Sequence, residues 1–338
     1  MRKILVLIMA AVLVLGCLAG CGAKNDSPSG SAASGAVSSP SEGKQLRIVT
    51  TIFPLYDWVN KILGDNPQGA EVTLLLDKGV DLHNYQPTVD DILTVSNCDL
   101  FLYVGGESDE WVEDALKEAT NQDMIVLNLL DLLGDKAKEE EAKEGMQAEE
   151  EEEEAEEEGP EYDEHVWLSV RNAAFFAPEI EKAIEKLDPA NKDVYQTNED
   201  AYTEELNALD AAYEEAVNAA PVKTVLFGDR FPFRYLVDDY GLDYFAAFVG
   251  CSAETEASFE TIKFLANKID ELSLHTVLTI EGTDHRIAET IIQNTETKDQ
   301  QILSMDSMQS VTAADVEQGA EYLSIMQKNL EVLKEALK

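Results

Sequence analysis

The sequence predicts an α/β fold: two small βα-type domains with mostly parallel four-stranded sheets, joined by a long rigid helix. Three observations point there. Short apolar runs alternate with longer amphipathic ones, the pattern left when helices cover the faces of parallel sheets. The runs form two groups, at 46–51, 72–76, 100–103 and 124–128, then at 224–227, 244–248, 276–280 and 301–305. Between the groups lies a helical middle. Residues 170–187 read as a helix stopped by Asp188-Pro189, since proline cannot continue a helix. Residues 190–220 follow as a polar, helix-forming stretch with Tyr195, Tyr202, Leu206, Leu209, Tyr213 and Val217 on one side and Pro221 at its end. At a rise of about 1.5 Å per residue, such a helix is a stiff strut between domains. The final stretch, 313–338, reads as one more helix packed through Tyr322, Met326, Leu330 and Leu333.

The N-terminal residues set the expected location. Arg2 and Lys3 precede an apolar run at 4–15, and small residues follow. Residues 1–20 thus read as a secretory signal peptide, the run being shorter than the ~20 residues a transmembrane helix needs. Leu18-Ala19-Gly20-Cys21 resembles a bacterial lipobox, in which cleavage leaves the cysteine N-terminal and diacylated. Each buried methylene contributes about 0.8 kcal/mol, so two or three acyl chains hold a protein on a membrane. Residues 21–44, rich in Ser, Gly and Ala, read as a flexible tether. The remaining chain divides into an N-terminal lobe (45–187), the linking helix (188–221) and a C-terminal lobe (222–338). No second long apolar run predicts another membrane span.

The formal charge of -42, from 67 acidic and 25 basic residues, excludes a nucleic-acid partner, whose phosphates need Lys and Arg. It suits cations. Much of the excess is local: 135–162 is mostly Glu, opposed by Lys136, Lys138 and Lys143. Lacking apolar periodicity, this run reads as a disordered acidic surface loop, either a solvated insertion or a device that attracts metal towards His165. Besides Cys17 and Cys21 the chain has Cys98 and Cys251. They read as structural free thiols ahead of a disulfide or a metal ligand, and no Cys-x-x-Cys is present.

Four histidines are candidates for chemistry. His83 follows a strand in Val80-Asp81-Leu82-His83-Asn84-Tyr85-Gln86-Pro87, and His165 enters a helix in Asp163-Glu164-His165-Val166-Trp167-Leu168. Both lie on connections leading into helices, near where open α/β sheets place ligands. His275 and His285 read as surface residues, and Trp58, Trp111 and Trp167 as packing. No Gly-x-Ser-x-Gly, phosphate loop or His-Glu-x-x-His appears, so the sequence carries no hydrolase signature.

His-x-Tyr-x-Pro followed by Asp90, then Asp-x-His-x-Trp-Leu, resembles the metal-binding receptors of zinc and manganese ABC importers, the ZnuA/TroA-like family. The likeness extends through Asn97-Cys98-Asp99-Leu100, Tyr103-x-Gly105-Gly106-Glu107 and Trp111 to Tyr240-Gly241-Leu242. It implies a monomeric extracytoplasmic lipoprotein, not an enzyme, that captures a divalent metal between its lobes and delivers it to an ABC permease and its ATPase. His83 and His165 would be ligands from the N-terminal lobe. Asp306 matches a further ligand near the last strand. The remaining expected position falls on Arg230, a cation, leaving Asp229 or Glu281 as substitutes. Two imidazoles with carboxylates suit zinc, with manganese as the alternative; a surface adhesin and a metal-dependent hydrolase are the rival functions.

Overall fold

A computed structural model describes residues 45–147, 161–252 and 256–338. The expected signal, tether and lipidation residue Cys21 therefore lie outside the described residues. The N-terminal lobe begins with β1 (Arg47–Thr50), α1 (Phe53–Leu63), β2 (Glu71–Leu74), α2 (Val89–Asn97) and β3 (Leu100–Tyr103). It continues with α3 (Trp111–Lys117), β4 (Ile125–Asn128), α4 (Leu129–Leu133) and α5 (Val170–Leu187). The long α6 (Lys192–Ala219) leads into the C-terminal lobe: β5 (Thr224–Arg230), α7 (Arg234–Tyr240), β6 (Asp243–Phe248), α8 (Phe259–Leu272) and β7 (Thr276–Ile280). The chain ends with α9 (Arg286–Gln293), β8 (Gln301–Met305), α10 (Ala313–Glu317) and α11 (Tyr322–Ala336).

Each lobe contains one four-stranded sheet, ordered β2-β1-β3-β4 and β6-β5-β7-β8. Every described strand pairing is parallel. Strands buried on both faces need near-continuous apolar residues, and β7 (Thr-Val-Leu-Thr-Ile) is buried throughout. The helix expected over 313–338 is two helices, broken around Gly319, whose φ of +89° L side chains resist. Helix α5 runs unbroken through Pro178.

The lobes share one apolar core. Trp58, Phe101, Trp167 and Phe176 from the first lobe and Phe227, Phe233 and Tyr322 from the second are all buried in it. Helix α6 contributes Tyr195, Tyr202, Leu206, Leu209, Tyr213 and Val217, the side that its sequence periodicity marks as apolar. Polar links cross between the lobes as well: Trp167 Nε1 donates to Ser307 O (2.9 Å), and Tyr322 Oη donates to Trp167 O (2.7 Å). Pairing these indole and phenol groups avoids the cost of burying them unsatisfied.

The acidic run departs from expectation. Residues 135–147, expected as part of a disordered loop, form an ordered strap against the C-terminal lobe. Glu140 N bonds to Glu161 O (2.9 Å), Asp163 N to Lys138 O (2.8 Å) and Gln147 N to Ala247 O (2.9 Å). The few lysines in the run supply the reason. Lys138 pairs with Asp238, while Lys143 pairs with Asp243 (2.6 Å) and lies 4.0 Å from the centroid of the Tyr244 ring. Cation–π attraction adds to each ion pair. Residues 148–160, the most Glu-rich part, lie outside the described residues.

Asp57 is buried on α1, accepts from Tyr322 N (3.3 Å) and neighbours Lys61. Burial outweighs Lys61 and raises its carboxyl to about 6. A carboxyl raised on folding stabilises the fold while protonated, and that contribution is lost as pH rises through about 6. Asp57→Asn keeps the shape without the charge. Its stability relative to wild type should therefore improve by about 2 kcal/mol between pH 4.5 and pH 8. Urea melts at the two pH values check this; a constant difference would show that Asp57 ionises freely.

Candidate metal centre

His83 belongs to a short 3₁₀ turn after β2, Leu82–Asn84, which Asp81 caps by accepting from His83 N (3.1 Å). Such a side-chain cap satisfies an otherwise orphaned donor and fixes where the turn begins. Asp81 is in turn ion-paired with Arg230 at the end of β5. A residue of the second lobe thus holds the turn that presents His83.

His165 precedes a second 3₁₀ turn, Val166–Leu168, which runs into Ser169, the cap of α5. Asp163 Oδ1 accepts from both the backbone N (2.9 Å) and the ring Nδ1 (3.0 Å) of His165. The Asp163 oxygen accepts here, so His165 carries a proton on Nδ1, the tautomer that leaves Nε2 free when the ring is neutral. On His83, Nδ1 meets Ser108 Oγ at 2.8 Å and Glu164 Oε2 at 3.4 Å. The Ser108 hydroxyl can donate or accept, so it allows the tautomer in which Nε2 of His83 is free. The two Nε2 atoms face each other at 3.1 Å. An N–H···N hydrogen bond spans this distance, and two nitrogens on one tetrahedral ion at about 2.0 Å are separated by roughly the same.

The surroundings act oppositely on the two rings. Burial, with the neighbouring His165, drives His83 down to about 3, so this imidazole is neutral. Burial also opposes charge on His165, but Asp163 and Glu164 outweigh it and raise that ring. Arg230 acts against protonation of both rings. Glu164 is itself buried and raised to about 7 by desolvation; Ser108 N donates to its Oε1 (2.8 Å), and its Oε2 lacks a hydrogen bond. The glycine pair in the Tyr-x-Gly-Gly-Glu motif makes room for this carboxylate. Gly106 has φ +83°, and a Cβ there would stand 2.4 Å from Glu164 Oε1. Beside His83 opens a cavity of about 190 Å³ lined by His83, Glu107, Glu140, Glu161, Glu164 and Cys251.

The carboxylates expected as ligands are engaged elsewhere. Asp229 accepts from Arg230 N (2.9 Å) and Ile280 N (3.3 Å). Glu281 takes both the N–H and the hydroxyl of Ser307 (each 2.7 Å). Asp306 caps its own turn through Met308 N (2.8 Å). None joins the group formed by the two histidines. Asp229 and Glu281 instead line a wider cleft of about 510 Å³ with Asp81, Arg230 and His285; His285, expected at the surface, is half-buried there. Among the described residues, the group of His, Cys, Asp and Glu side chains able to share one ion is His83, His165 and Cys251, with ligand atoms within 4.8 Å of one another. Cys251 and Cys98 are both free thiols. Sequence reasoning took Cys251 for a structural residue; its only local signal is a position just after a strand end, next to a glycine.

Paired lobes with parallel four-stranded sheets and a bracing helix are the architecture of metal-binding solute-binding proteins, which are not enzymes. Residues 48–336 match the family model described as ZnuA, zinc-uptake complex component A, periplasmic, and the chain belongs to that family. It is 30% identical to the zinc-binding lipoprotein AdcA of Streptococcus pneumoniae over 87% of this chain and 56% of that protein. The chain thus spans about half the length of AdcA. It is 29% identical to the high-affinity zinc uptake system protein ZnuA of Bacillus subtilis, over 98% of this chain and 96% of that one. The crystal structure of the Zn(II)-bound ZnuA-like domain of S. pneumoniae AdcA superposes with a TM-score of 0.67 at 26% identity, covering 87% of this chain and 99% of that one. The laminin-binding adhesin Lmb of Streptococcus agalactiae shares the fold, with a TM-score of 0.70 at 22% identity over 87% of this chain and 100% of that chain.

Gly106 supplies a test of the carboxylate cradle. Its backbone lies in a region that essentially only glycine occupies. Gly106→Ala should destabilise by at least ~1–2 kcal/mol more than Gly69→Ala, a positive-φ glycine with open space around it. Denaturant melts of both variants measure the difference; equal losses would mean Glu164 moves aside freely.

Proposed function

We propose that this chain is the extracytoplasmic receptor of a zinc importer, binding one divalent ion between His83 and His165 and delivering it to an ABC permease driven by a cytosolic ATPase. The observation that carries this reading is the approach of the two Nε2 nitrogens to 3.1 Å, each ring oriented by a partner on its other nitrogen. Metal-ligating imidazoles are typically held in this way, which fixes the tautomer and raises basicity. Zinc is the favoured ion. Imidazole nitrogens suit it, and the Irving–Williams order places it above manganese at an equal site. The names of the relatives point to the same ion. Manganese would favour more oxygen ligands, and Asp229, Glu281 and Asp306 each already accept from a backbone N–H.

The surroundings support capture. The cavity beside His83 is walled by Glu107, Glu140, Glu161 and Glu164, and the acidic run joins it at Glu140 and Glu161. A concentrated negative potential raises the local cation concentration and the association rate. The Leu-Ala-Gly-Cys motif supports a membrane anchor through acylated Cys21, and the shared core favours a monomer that closes by small tilts and loop ordering.

His83→Ala and His165→Ala should each weaken zinc binding at least ~100-fold, since loss of an outer partner alone typically costs 10–100-fold. Competition titration of the purified variants against a chelator reads this, and wild-type affinity in both would sink the assignment. For the anchor, Cys21→Ala should move the protein from the membrane to the soluble fraction. Membrane retention with no acyl mass on the N-terminal peptide would disprove it.

A further inference from the structure

Two histidines leave a tetrahedral ion short of ligands. Within reach of both imidazoles, among the described residues, stands one further donor, the sulfur of Cys251. We propose that Cys251 binds the metal as a thiolate and completes a two-histidine, one-cysteine site; this rests on the receptor reading above.

Three observations carry the assignment. Cys251 comes from the second lobe, three residues beyond the end of β6, so it supplies the cross-lobe ligand that the carboxylates of β5, β7 and β8 do not. The end of the adjacent strand β5 cannot: its Arg230, in register with Phe248 of β6, presents a guanidinium engaged by Asp81. A cation has no lone pair to offer. The second observation is Gly250. A Cβ there would stand 2.9 Å from Phe231 O and 3.0 and 3.1 Å from His165 Cε1 and Nδ1. Only a glycine lets the backbone before Cys251 lie flat against the His165 ring, so the cysteine is delivered to the imidazole by design of the loop. Thirdly, Cys251 N donates to Glu140 Oε1 (3.0 Å), which fixes the cysteine backbone on the wall of the acidic cavity. The thiol is free of any disulfide.

Ligation breaks the S–H bond and forms a metal–sulfur bond; the proton passes to solvent or to a carboxylate lining the cavity, and nothing is oxidised. A thiolate is a soft donor that selects zinc over manganese more sharply than a carboxylate does. Zinc–sulfur bonds are about 2.3 Å long, so the sulfur and imidazoles, now within 4.8 Å of each other, draw together on binding.

Cobalt(II) substitution of the full-length protein tests this. Wild type should show a near-ultraviolet sulfur-to-cobalt charge-transfer band. Cys251→Ser should lose that band while keeping the visible bands of bound cobalt, bind zinc at least ~10-fold more weakly, and discriminate less against manganese in competition. Every other cysteine is the same in both proteins, so the difference spectrum isolates Cys251. Stoichiometric tight zinc with no charge-transfer band, or a band that survives Cys251→Ser, overturns the thiolate while leaving the receptor standing. Absence of tight zinc binding in wild type overturns both.

Discussion

The two Nε2 atoms of His83 and His165 meet at 3.1 Å, and that approach is the constraint to which much of the surrounding structure answers. Both nitrogens must be free of protons to take a cation, and their fixed approach rests on a separate restraint for each ring. His165 is held by Asp163 at two points, and the backbone carbonyl of Asp163 is held by Tyr235 of the second lobe (3.0 Å). His83 is held by Ser108 and by the Asp81 cap, and Asp81 by Arg230 of the second lobe. The N-terminal lobe supplies the imidazoles, while the C-terminal lobe locks the loops that carry them. Preorganisation of this kind places the cost of ordering in folding rather than in binding.

Arg230 illustrates how one substitution redistributes a site. The resemblance to zinc and manganese receptors puts a ligand there, but the guanidinium instead becomes a brace. It fixes the His83 turn through Asp81 and disfavours protons on both rings. A cation at that place would repel the metal if it pointed inward; tied to Asp81, its charge is offset by the carboxylate that caps the His83 turn. The coordinating role is then open to the neighbouring strand, where Gly250 and Cys251 approach His165.

Much of this was legible in the sequence because apolar burial has a local signature. All eight strands lie within or next to the short apolar runs, and the strut helix follows the Tyr195-to-Val217 periodicity. His83 and His165 were picked out by motifs, and the structure brings them together. What was hidden depends on long-range geometry. Nothing near Cys251 in the chain announces that it reaches His165, 86 positions earlier (251 minus 165). Asp229, Glu281 and Asp306 end their strands or lie next to the ends, but capping partners such as Ser307 and Met308 claim their oxygens. The strap at 135–147 was masked by its glutamates, since composition cannot reveal that Lys138 and Lys143 face Asp238 and Asp243. The C-terminal helix was read as continuous because apolar spacing carries across Gly319.

The continuous core has a consequence for the energetics of loading. Trp58, Trp167, Phe233 and Tyr322 belong to one apolar cluster spanning both lobes, and from Lys44 onward the chain forms one compact unit. Neither lobe can unravel without exposing the other's buried surface, which couples the lobes into one cooperative melting event. An ion held where the lobes meet is therefore linked to the entire fold. By mass action, a free concentration a hundredfold above the dissociation constant adds about 2.7 kcal/mol to global stability. On the proposed reading the cargo acts as a folding cofactor for its own carrier: in metal-poor surroundings the empty protein is the less stable form and the one more exposed to proteolysis, which ties the abundance of such a receptor to the supply of what it carries.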